Sequence, residues 1–363
     1  MFTFYMPTRV VVGKTCVVKE SNLLKGIGNK ALIVTGKYSS KQNGALEDVQ
    51  KALEQQEIAY CLFDEVEENP SLETVERARD FGLMQEVDCV IGIGGGSPID
   101  AAKAIAVMLK NPELTGDTLI GTGLKSLPVV AVPTTAGTGT EVTQYAIVTD
   151  HQAKTKKNIG HTVFPVLAFV DATYMKDMPL SLTVHTAIDA MSHLVESYLS
   201  VKSNVVSEAL VIQGLQEWGK CIPHLLDGQL TLEDRESLMM ASMLGGMAIA
   251  QTGTSLPHGM GYALTYYKGL PHGLANGVLY KAYLRGFKDR TKVQKLHTFV
   301  GLESHEALEK VLDTLCQAQV EVTPEELEAY TKAMCSNKAK LQNHPESISE
   351  QEVYRIYADS LLH

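Results

Sequence analysis

Apolar residues follow two kinds of pattern in the first half of the chain. Short apolar, β-branched runs predict buried strands at residues 9–12, 30–35, 60–63, 88–91, 129–133 and 167–171. Apolar positions that recur every three or four residues predict helices between several of them, at residues 44–55, 71–85 and 101–109. Strands separated by helical segments imply a parallel, doubly wound sheet.

After Pro179 the periodicity becomes mainly helical. Thr323 and Ser349 each begin a capping box, and Pro324 stands at a first helical position. The chain has 363 residues, which is enough for two domains. The sequence therefore predicts an α/β dinucleotide-binding domain with a parallel sheet over residues 1–178, followed by an all-α metal-binding domain over residues 179–363. One large α/β domain with helical additions is the alternative.

Composition narrows the class of protein. The formal net charge is −10 and no basic stripe is visible, which argues against binding to nucleic acid or to a membrane surface. The six cysteines are scattered without a Cys-x-x-Cys pair, so neither a disulfide framework nor a zinc ribbon is expected. Residues 1–6 lack the apolar region and the cleavage site of a signal peptide, and no apolar run is long enough to cross a bilayer, so we expect neither a signal peptide nor a membrane span. We expect a cytoplasmic protein.

A cluster of three glycines, Gly94, Gly95 and Gly96, stands between a predicted strand and a predicted helix. Glycines let the backbone approach a ligand, and the first amides of a helix point at anions. A tight turn without a ligand is the alternative, but three consecutive glycines cost chain entropy, which favours a phosphate. The cluster is not the Gly-x-Gly-x-x-Gly fingerprint of ordinary dinucleotide-binding folds.

Two further loops with small polar residues follow predicted strands, at residues 36–41 and 134–140. Ligands of open α/β sheets bind at the carboxyl ends of the strands. The second loop offers hydroxyls and backbone amides together, although a polar loop capping a helix would look the same. The three loops together predict a dinucleotide site.

A second constellation has the chemistry of a metal site. Asp189 and His193 are four residues apart and share one face of a helix, whereas His258 and His272 are each followed by glycine. One carboxylate and three imidazoles suit Fe(II) or Zn(II). Taken singly, each histidine also fits a hydrogen-bonded core position, and Asp189 with His193 fits a surface ion pair. His185, one turn before Asp189, is a competing ligand.

Several of these segments resemble one known family. Residues 94–103, with the sequence Gly-Gly-Gly-Ser-Pro-Ile-Asp-Ala-Ala-Lys, resemble the glycine signature of the iron-containing (group III) alcohol dehydrogenases, in particular those that use NADP with butanol or 1,3-propanediol. Residues 133–143 resemble the family's second signature, and residues 189–196, 258–261 and 272–273 its metal motifs. The likeness runs in order from about Thr8 to the C-terminus.

The resemblance implies a dinucleotide-binding domain, a helical metal domain and a site in the cleft between them. It assigns the metal to Asp189, His193, His258 and His272 rather than to His185. Lys157 matches a lysine near the nicotinamide, with Lys156 as the alternative. Further residues match positions that bind the cofactor: Asn69, Gly94, Gly95, Gly96, Ser97, Asp100, Thr134, Thr135 and Thr138.

Two departures from the family pattern matter. Members that prefer NAD often carry an aspartate where this chain has Gly36, and Lys37, Ser39, Ser40 and Lys41 follow it. Loss of the carboxylate and gain of donors suit a 2′-phosphate, so we expect Gly36, Ser39 and Ser40 to contact NADP rather than NAD.

The second departure is Tyr262, which stands where many members have a histidine proposed to relay the alcohol proton. A phenol with a pKa of about 10 accepts protons poorly at neutral pH, so no catalytic base is assigned.

The predicted function is metal-dependent hydride transfer between a nicotinamide cofactor and a small primary alcohol or aldehyde. The alternatives are a glycerol dehydrogenase-like enzyme, a dehydroquinate synthase-like enzyme and an inactive nucleotide-binding sensor. We expect a homodimer, formed through edge pairing of the N-terminal strand. The neighbourhood of the cleft is expected to be aliphatic and weakly charged, which favours a small alcohol over a polyanionic substrate; its residues are Leu256, Met260, Leu264 and Leu270.

Overall fold

The computed structural model describes residues 1–362. They form two compact units. The sheet unit is Tyr5–Met178, and the helical unit is Met1–Phe4 together with the chain from Pro179 onward. No helix in residues 1–362 combines the length and the apolar character needed to span a membrane.

The centre of the sheet unit is a six-stranded parallel sheet in the order β1-β8-β5-β4-β2-β3. A short antiparallel hairpin, β6–β7, forms a second sheet. The strands are β1 Arg9–Val12, β2 Lys30–Thr35, β3 Ala59–Phe63, β4 Cys89–Gly94, β5 Val129–Pro133, β6 Ile147–Asp150, β7 Thr155–Asn158 and β8 Leu167–Val170. The prediction of a parallel sheet is confirmed.

Helices cover both faces of this sheet. Alternate side chains of β2 pack into two separate hydrophobic cores. Leu32 and Val34 belong to one core, and Ala31 and Ile33 belong to the other. This burial on both faces explains the continuous apolar runs of the central strands. The helices of the sheet unit are α1 Cys16–Lys19, α2 Ser39–Gln42, α3 Ala45–Gln55, α4 Leu72–Met84, α5 Gly96–Lys110 and α6 Gly116–Leu119, with 3₁₀ turns at Ser21–Leu24, Thr140–Val142 and Ala172–Met175.

The hairpin β6–β7 was not predicted. Its second strand reads Thr-Lys-Lys-Asn and carries no apolar alternation, which is the signal that reveals strands in a sequence. The hairpin is tied to α5, because the backbone N–H of Ile147 donates to Oδ2 of Asp100 over 2.9 Å.

The helical unit contains no strand among its described residues. Its helices are α7 Leu180–Leu199, α8 Val205–Lys220, α9 Ile222–Asp227, α10 Leu232–Thr252, α11 Leu256–Lys268, α12 His272–Gly277, α13 Tyr280–Arg285, α14 Leu296–Phe299, α15 His305–Leu315, α16 Pro324–Ser336, α17 Lys338–Asn343 and α18 Glu350–Leu361, with a 3₁₀ turn at Val293–Lys295. The predicted capping boxes at Thr323 and Ser349 are both present and begin α16 and α18. The all-helical second half is confirmed.

Candidate active site

The three predicted ligand loops lie side by side at one edge of the sheet. They follow β2, β4 and β5, which are adjacent and parallel, so their carboxyl ends meet at the same edge. The N–H of Thr134 donates to the carbonyl of Gly94 over 2.8 Å and joins two of the loops directly. The sheet thus brings together loops that lie up to about 100 residues apart in the sequence.

Side chains on the glycine cluster would crowd the threonines of the third loop. Gly94 has φ +145°, a conformation that L residues rarely adopt. A Cβ on Gly95 would lie 3.1 Å from Oγ1 of Thr135, and one on Gly96 would lie 2.7 Å from Cγ2 of Thr138. The threonines of the third loop therefore stand directly over the glycines at the start of α5, where backbone N–H groups are available for an anion.

Asn69 and Ser97 join a further loop to the cluster. Asn69 has φ +58°, and its N–H donates to Oγ of Ser97 over 3.0 Å. The hydroxyl of Thr149, on the hairpin, donates to the carbonyl of Asn69 over 2.8 Å. Asn69, Ser97 and the hairpin therefore form one connected group at this edge.

Asp100 uses both carboxylate oxygens within the protein. Oδ1 accepts from the hydroxyl of Thr140 over 2.5 Å, and Oδ2 accepts from Ile147. Burial raises the pKa of Asp100, while Lys103 opposes that rise. The carboxylate therefore fixes the segment that follows the third loop, which makes it a support for the edge.

Lys103 supports the same segment and was missed in the sequence. Its side chain is 0% exposed, and Nζ lies 2.7 to 2.9 Å from the carbonyl oxygens of Thr140, Thr143 and Tyr145. Burial lowers the pKa of Lys103 to about 8, although Asp100 and Glu141 oppose that shift. A lone lysine inside the apolar run at residues 101–109 was the available signal, since a lysine is almost never fully buried without partners.

The loop after β2 offers only part of the predicted donor set. Ser39 is exposed, but Ser40 is fully buried and its hydroxyl is hydrogen-bonded to Thr35. Lys41 forms an ion pair with Asp64, whereas Lys37 is exposed. Ser40 is therefore turned into the protein and is left out of the cofactor contacts proposed below.

The hairpin distinguishes the two candidate lysines. Lys157 pairs with Asp150 over 2.7 Å. Lys156 stands opposite Thr149 in the register, and because side chains alternate along a strand it shares the face on which Thr149 reaches Asn69. Lys156 also lowers the pKa of Asp100 electrostatically. The geometry therefore favours Lys156, the alternative, over Lys157 as the lysine on the ligand side.

In the helical unit, three helices bring the predicted metal ligands together. α7 carries Asp189 and His193 one turn apart, while His258 lies in the first turn of α11 and His272 begins α12. Ligand atoms of Asp189, His258 and His272 all lie within 4.8 Å of one another. Nε2 of His193 lies 2.9 Å from Nε2 of His258, so all four side chains converge. His185 is not part of the convergent group within residues 1–362.

Glu196 holds His258 in place and was not singled out from the sequence. Nδ1 of His258 lies 2.6 Å from Oε1 of Glu196, which also accepts from the hydroxyl of Tyr280 over 3.0 Å. The other oxygen, Oε2, accepts from the N–H of Ser255 over 2.5 Å. A histidine that donates from Nδ1 to a carboxylate presents Nε2 as a lone pair, which is the arrangement found behind metal-binding histidines. The signal in the sequence was the spacing. Glu196 lies seven residues after Asp189, so the two residues share one face of the helix.

The electrostatics of the centre are those of a cation site. Burial alone would raise the pKa of Asp189, but the three neighbouring histidines hold it well below its usual range. Burial likewise acts to raise the pKa of Glu196, and His258 outweighs that effect and lowers it. Both carboxylates are thus kept ionised by positive charge on the histidines around them, which is the charge that a metal cation at the same place would supply instead.

Close helix packing fixes these ligands. A Cβ on Gly273 would lie 1.9 Å from the carbonyl oxygen of His185 and 3.0 Å from Cβ of Asp189. Gly261 is equally restricted, since a Cβ there would lie 2.1 Å from Oδ1 of Asn276. The amide of Asn276 in turn lies 3.4 Å from Oδ1 of Asp189 and from Nε2 of His272. The glycines after the histidines thus serve helix contact.

Of the four aliphatic residues expected in the neighbourhood of the cleft, three do not reach the surface of the protein. Leu256, Met260 and Leu264 are 0% exposed and belong to the packed interior, and only Leu270 is partly exposed. They lie on the buried side of α11, where helix periodicity places them against neighbouring helices.

The donor set fits a transition metal. Nitrogen ligands with one carboxylate oxygen suit Fe(II) and Zn(II), whereas Mg²⁺ and Ca²⁺ prefer oxygen ligands. The glycine edge of the sheet unit fits the phosphates of a nucleotide for the reasons given above. The chain therefore has one site suited to a dinucleotide and another suited to a metal cation.

Comparison with known proteins decides the family. The model of the family "Iron-containing alcohol dehydrogenase" matches residues 7–172, and that of the "Fe-containing alcohol dehydrogenase family, C-terminal" matches residues 183–361. The chain belongs to the iron-containing alcohol dehydrogenases. The predicted family is thereby confirmed, and so is the predicted class of enzyme, a metal-dependent alcohol dehydrogenase or aldehyde reductase that uses a nicotinamide cofactor.

Individual iron-containing alcohol dehydrogenases resemble the chain over most of its length. It is 31% identical to Alcohol dehydrogenase 4 of Schizosaccharomyces pombe, over 88% of this chain and 77% of that protein. It is also 31% identical to the NADPH-dependent butanol dehydrogenase of Clostridium saccharobutylicum, over 81% and 76% of the two chains. A crystal structure of an iron-containing alcohol dehydrogenase from Thermotoga maritima matches 99% of both chains with a TM-score of 0.92 and 40% identity.

Proposed function

We propose that this iron-containing alcohol dehydrogenase interconverts small primary alcohols and aldehydes with NADP(H), and that Asp189, His193, His258 and His272 bind Fe(II), with Zn(II) as the alternative. The observation that carries the proposal is the hydrogen bond from Nδ1 of His258 to Glu196. It turns Nε2 of His258 towards Asp189, His193 and His272, which is the orientation that a metal ligand needs.

The residues of the chain have separable tasks in this reaction. The ionised carboxylate of Asp189 supplies the negative charge that retains a cation, and Glu196 keeps the His258 ring in one orientation and tautomer. A metal ion held by these residues would supply Lewis-acid polarisation of the carbon–oxygen bond of the substrate. The glycine edge binds the cofactor phosphates, with Asp100 and Lys103 supporting it from behind. We assign no catalytic base.

The metal proposal is tested with metal-free protein. Activity should be absent after chelation and should return with Fe(II), or more weakly with Zn(II), in an assay of butanal reduction with NADPH. Asp189→Ala should fail to recover with either ion while still binding NADPH, measured by fluorescence. Full activity in protein shown by elemental analysis to hold no metal would refute the proposal.

The cofactor proposal rests on Gly36 and its neighbours. Exposed Lys37 and Ser39 follow Gly36, and they offer a charge and a hydroxyl to a 2′-phosphate. A Cβ on Gly36 would approach only the carbonyl of Val66, at 3.4 Å, so a side chain fits there. We therefore infer that the missing carboxylate reflects cofactor choice rather than lack of space.

Gly36→Asp should reverse the preference towards NAD, because its carboxylate repels the 2′-phosphate and accepts from the ribose hydroxyls. Gly36→Ala is the matched control and should keep the preference for NADP. The ratio of kcat/KM values for NADPH and NADH measures both. A parent enzyme that favours NADH would contradict the proposal before any variant is made.

Two further expectations complete the proposal. A homodimer is supported by the position of β1, which pairs only with β8 and leaves its other edge open within the described residues. A cytoplasmic location is supported by the six cysteines, all of which are free thiols. Sedimentation at micromolar concentration tests the dimer.

A further inference from the structure

Among the four proposed metal ligands, His272 is partly exposed and the other three are buried. The side chains of Asp189 and His258 are 5% and 4% exposed, whereas that of His272 is 23% exposed. The ring of Tyr262 stacks on His272, with centroids 5.7 Å apart and planes inclined by 28°. Nζ of Lys340 lies 5.8 Å from the centroid of the Tyr262 ring. His272, Tyr262 and Lys340 are all partly exposed, so together they form one continuous surface that leads away from the metal ligands.

The ammonium group of Lys340 uses one of its three hydrogen-bond donors within the protein. Nζ donates to the hydroxyl of Thr254, and no carboxylate within residues 1–362 forms an ion pair with it. Thr254 is itself held in place, because Nδ2 of Asn343 donates to its carbonyl over 3.0 Å. An ammonium has three donors, so two remain for a ligand. Lys103 differs in that all its donors are used inside the protein.

The charges around this surface favour an anion. Burial lowers the pKa of Lys340 to about 8, partly opposed by Glu196, so the group is mostly protonated at pH 7. A divalent cation at the proposed site would balance the two buried carboxylates, Asp189 and Glu196. Lys340 would then carry the uncompensated charge, at a fixed position on the side of the centre where His272 is partly exposed.

We propose that Lys340 binds an anionic group at the far end of the substrate, so that the preferred substrates are short aldehydes and alcohols bearing a terminal carboxylate. This inference rests on the proposed function. In reduction, the aldehyde carbon receives the hydride from NADPH and its oxygen receives a proton, while the carboxylate stays unchanged and only anchors the molecule. The carboxylate accepts hydrogen bonds from Nζ, and Tyr262 forms the wall between the two ends.

The test compares two four-carbon aldehydes, 4-oxobutanoate and butanal, which differ only by the terminal carboxylate. The metal-loaded parent enzyme should show a kcat/KM at least about tenfold higher for 4-oxobutanoate, since a charge-assisted hydrogen bond supplies about one to two orders of magnitude in affinity. Lys340→Met should reduce the ratio of the two kcat/KM values about 10- to 100-fold, mainly through KM for 4-oxobutanoate. Lys340→Arg should retain most of the preference, and Lys338→Met, which alters an exposed lysine on the same helix, should not change the ratio.

The outcomes separate this inference from the proposed function. A parent enzyme that reduces butanal as well as 4-oxobutanoate would overturn the role of Lys340 and leave the proposed function intact. A parent enzyme inactive on both aldehydes would overturn the proposed function and the inference with it. If Lys340→Met lowers kcat/KM for both aldehydes equally, Lys340 has a structural role and the inference is wrong. Succinate provides a second readout without turnover, because its dissociation constant, measured by calorimetric titration of the metal-loaded protein, should rise in Lys340→Met and not in Lys338→Met.

Discussion

The glycine edge of the sheet unit and the histidine centre of the helical unit are both proposed binding sites, but they are built differently. At the glycine edge, backbone amides and small residues from the ends of β2, β4 and β5 provide the surface. At the histidine centre, side chains from α7, α11 and α12 provide the ligands, and the helix backbones only set their distances.

The difference lies in what each site tolerates. An added methyl group on Gly96 would meet the end of a threonine side chain, which can rotate away. An added methyl group on Gly273 would meet a backbone carbonyl, which cannot move without shifting α7 or α12. A site built from the backbone can therefore absorb small side-chain changes, whereas a site built from converging side chains depends on exact helix positions.

The largest expected effect comes from Gly273→Ala. The Cβ would lie 1.9 Å from the carbonyl of His185, so α12 must move and carry His272 away from Asp189. Overpacking of this kind costs about 1–3 kcal/mol in stability. Loss of one ligand from the set should lower metal affinity by about two orders of magnitude or more. Mutation of a residue that only hydrogen-bonds a metal ligand already lowers the affinity about 10- to 100-fold. Calorimetric titration of metal-free protein with Zn(II) measures this.

The matched variant is Gly96→Ala. It should weaken NADPH binding only several-fold and leave the titration with Zn(II) unchanged, because Thr138 can adopt another rotamer. If Gly96→Ala proved as damaging as Gly273→Ala, the contrast between the two sites would fail.

Lys103→Met should have the next largest effect, and it falls on the glycine edge. The substitution leaves the carbonyls of Thr140, Thr143 and Tyr145 without their buried donor. Each orphaned acceptor costs about 1–3 kcal/mol. The segment after the third loop should loosen, and the Kd for NADPH should rise about 10- to 100-fold. This rise corresponds to the free-energy cost of one or two orphaned acceptors.

Lys110→Met is the control for Lys103→Met, since Lys110 is an exposed lysine at the end of the same helix. Fluorescence titration with NADPH, and displacement of NADPH by adenosine 2′-monophosphate, which has no 5′-phosphate for the glycine edge, separate two causes. A local effect on the glycine edge weakens only the complete dinucleotide, whereas equal losses for both ligands would mean that the sheet unit as a whole is destabilised.

The sequence predicted the local parts of this molecule well and the long-range parts less well. The parallel strands and the glycine cluster have contiguous signals, so the sheet and its ligand edge could be predicted. The hairpin β6–β7 could not, because its strand of Thr, Lys, Lys and Asn lacks apolar alternation. The roles of Glu196, Lys103 and Lys340 depend on partners 37 to 86 residues away, which no local pattern encodes.

The smallest of the three expected effects comes from Glu196→Gln. The amide oxygen of glutamine can still accept from Nδ1 of His258, but the negative charge that raises the basicity of the ring is lost. Metal affinity should therefore fall about tenfold, at the low end of the range for such outer partners. Glu196→Ala removes the hydrogen bond as well, so its metal affinity should fall further. The two variants together separate the effect of the charge from the effect of the orientation of His258. The loss of affinity is measured as the rate at which each variant releases Zn(II) to a chromophoric chelator. Equal rates in Glu196→Gln and the parent protein would mean that the carboxylate serves only to position His258, and that the histidine centre, like the glycine edge, is held by geometry more than by charge.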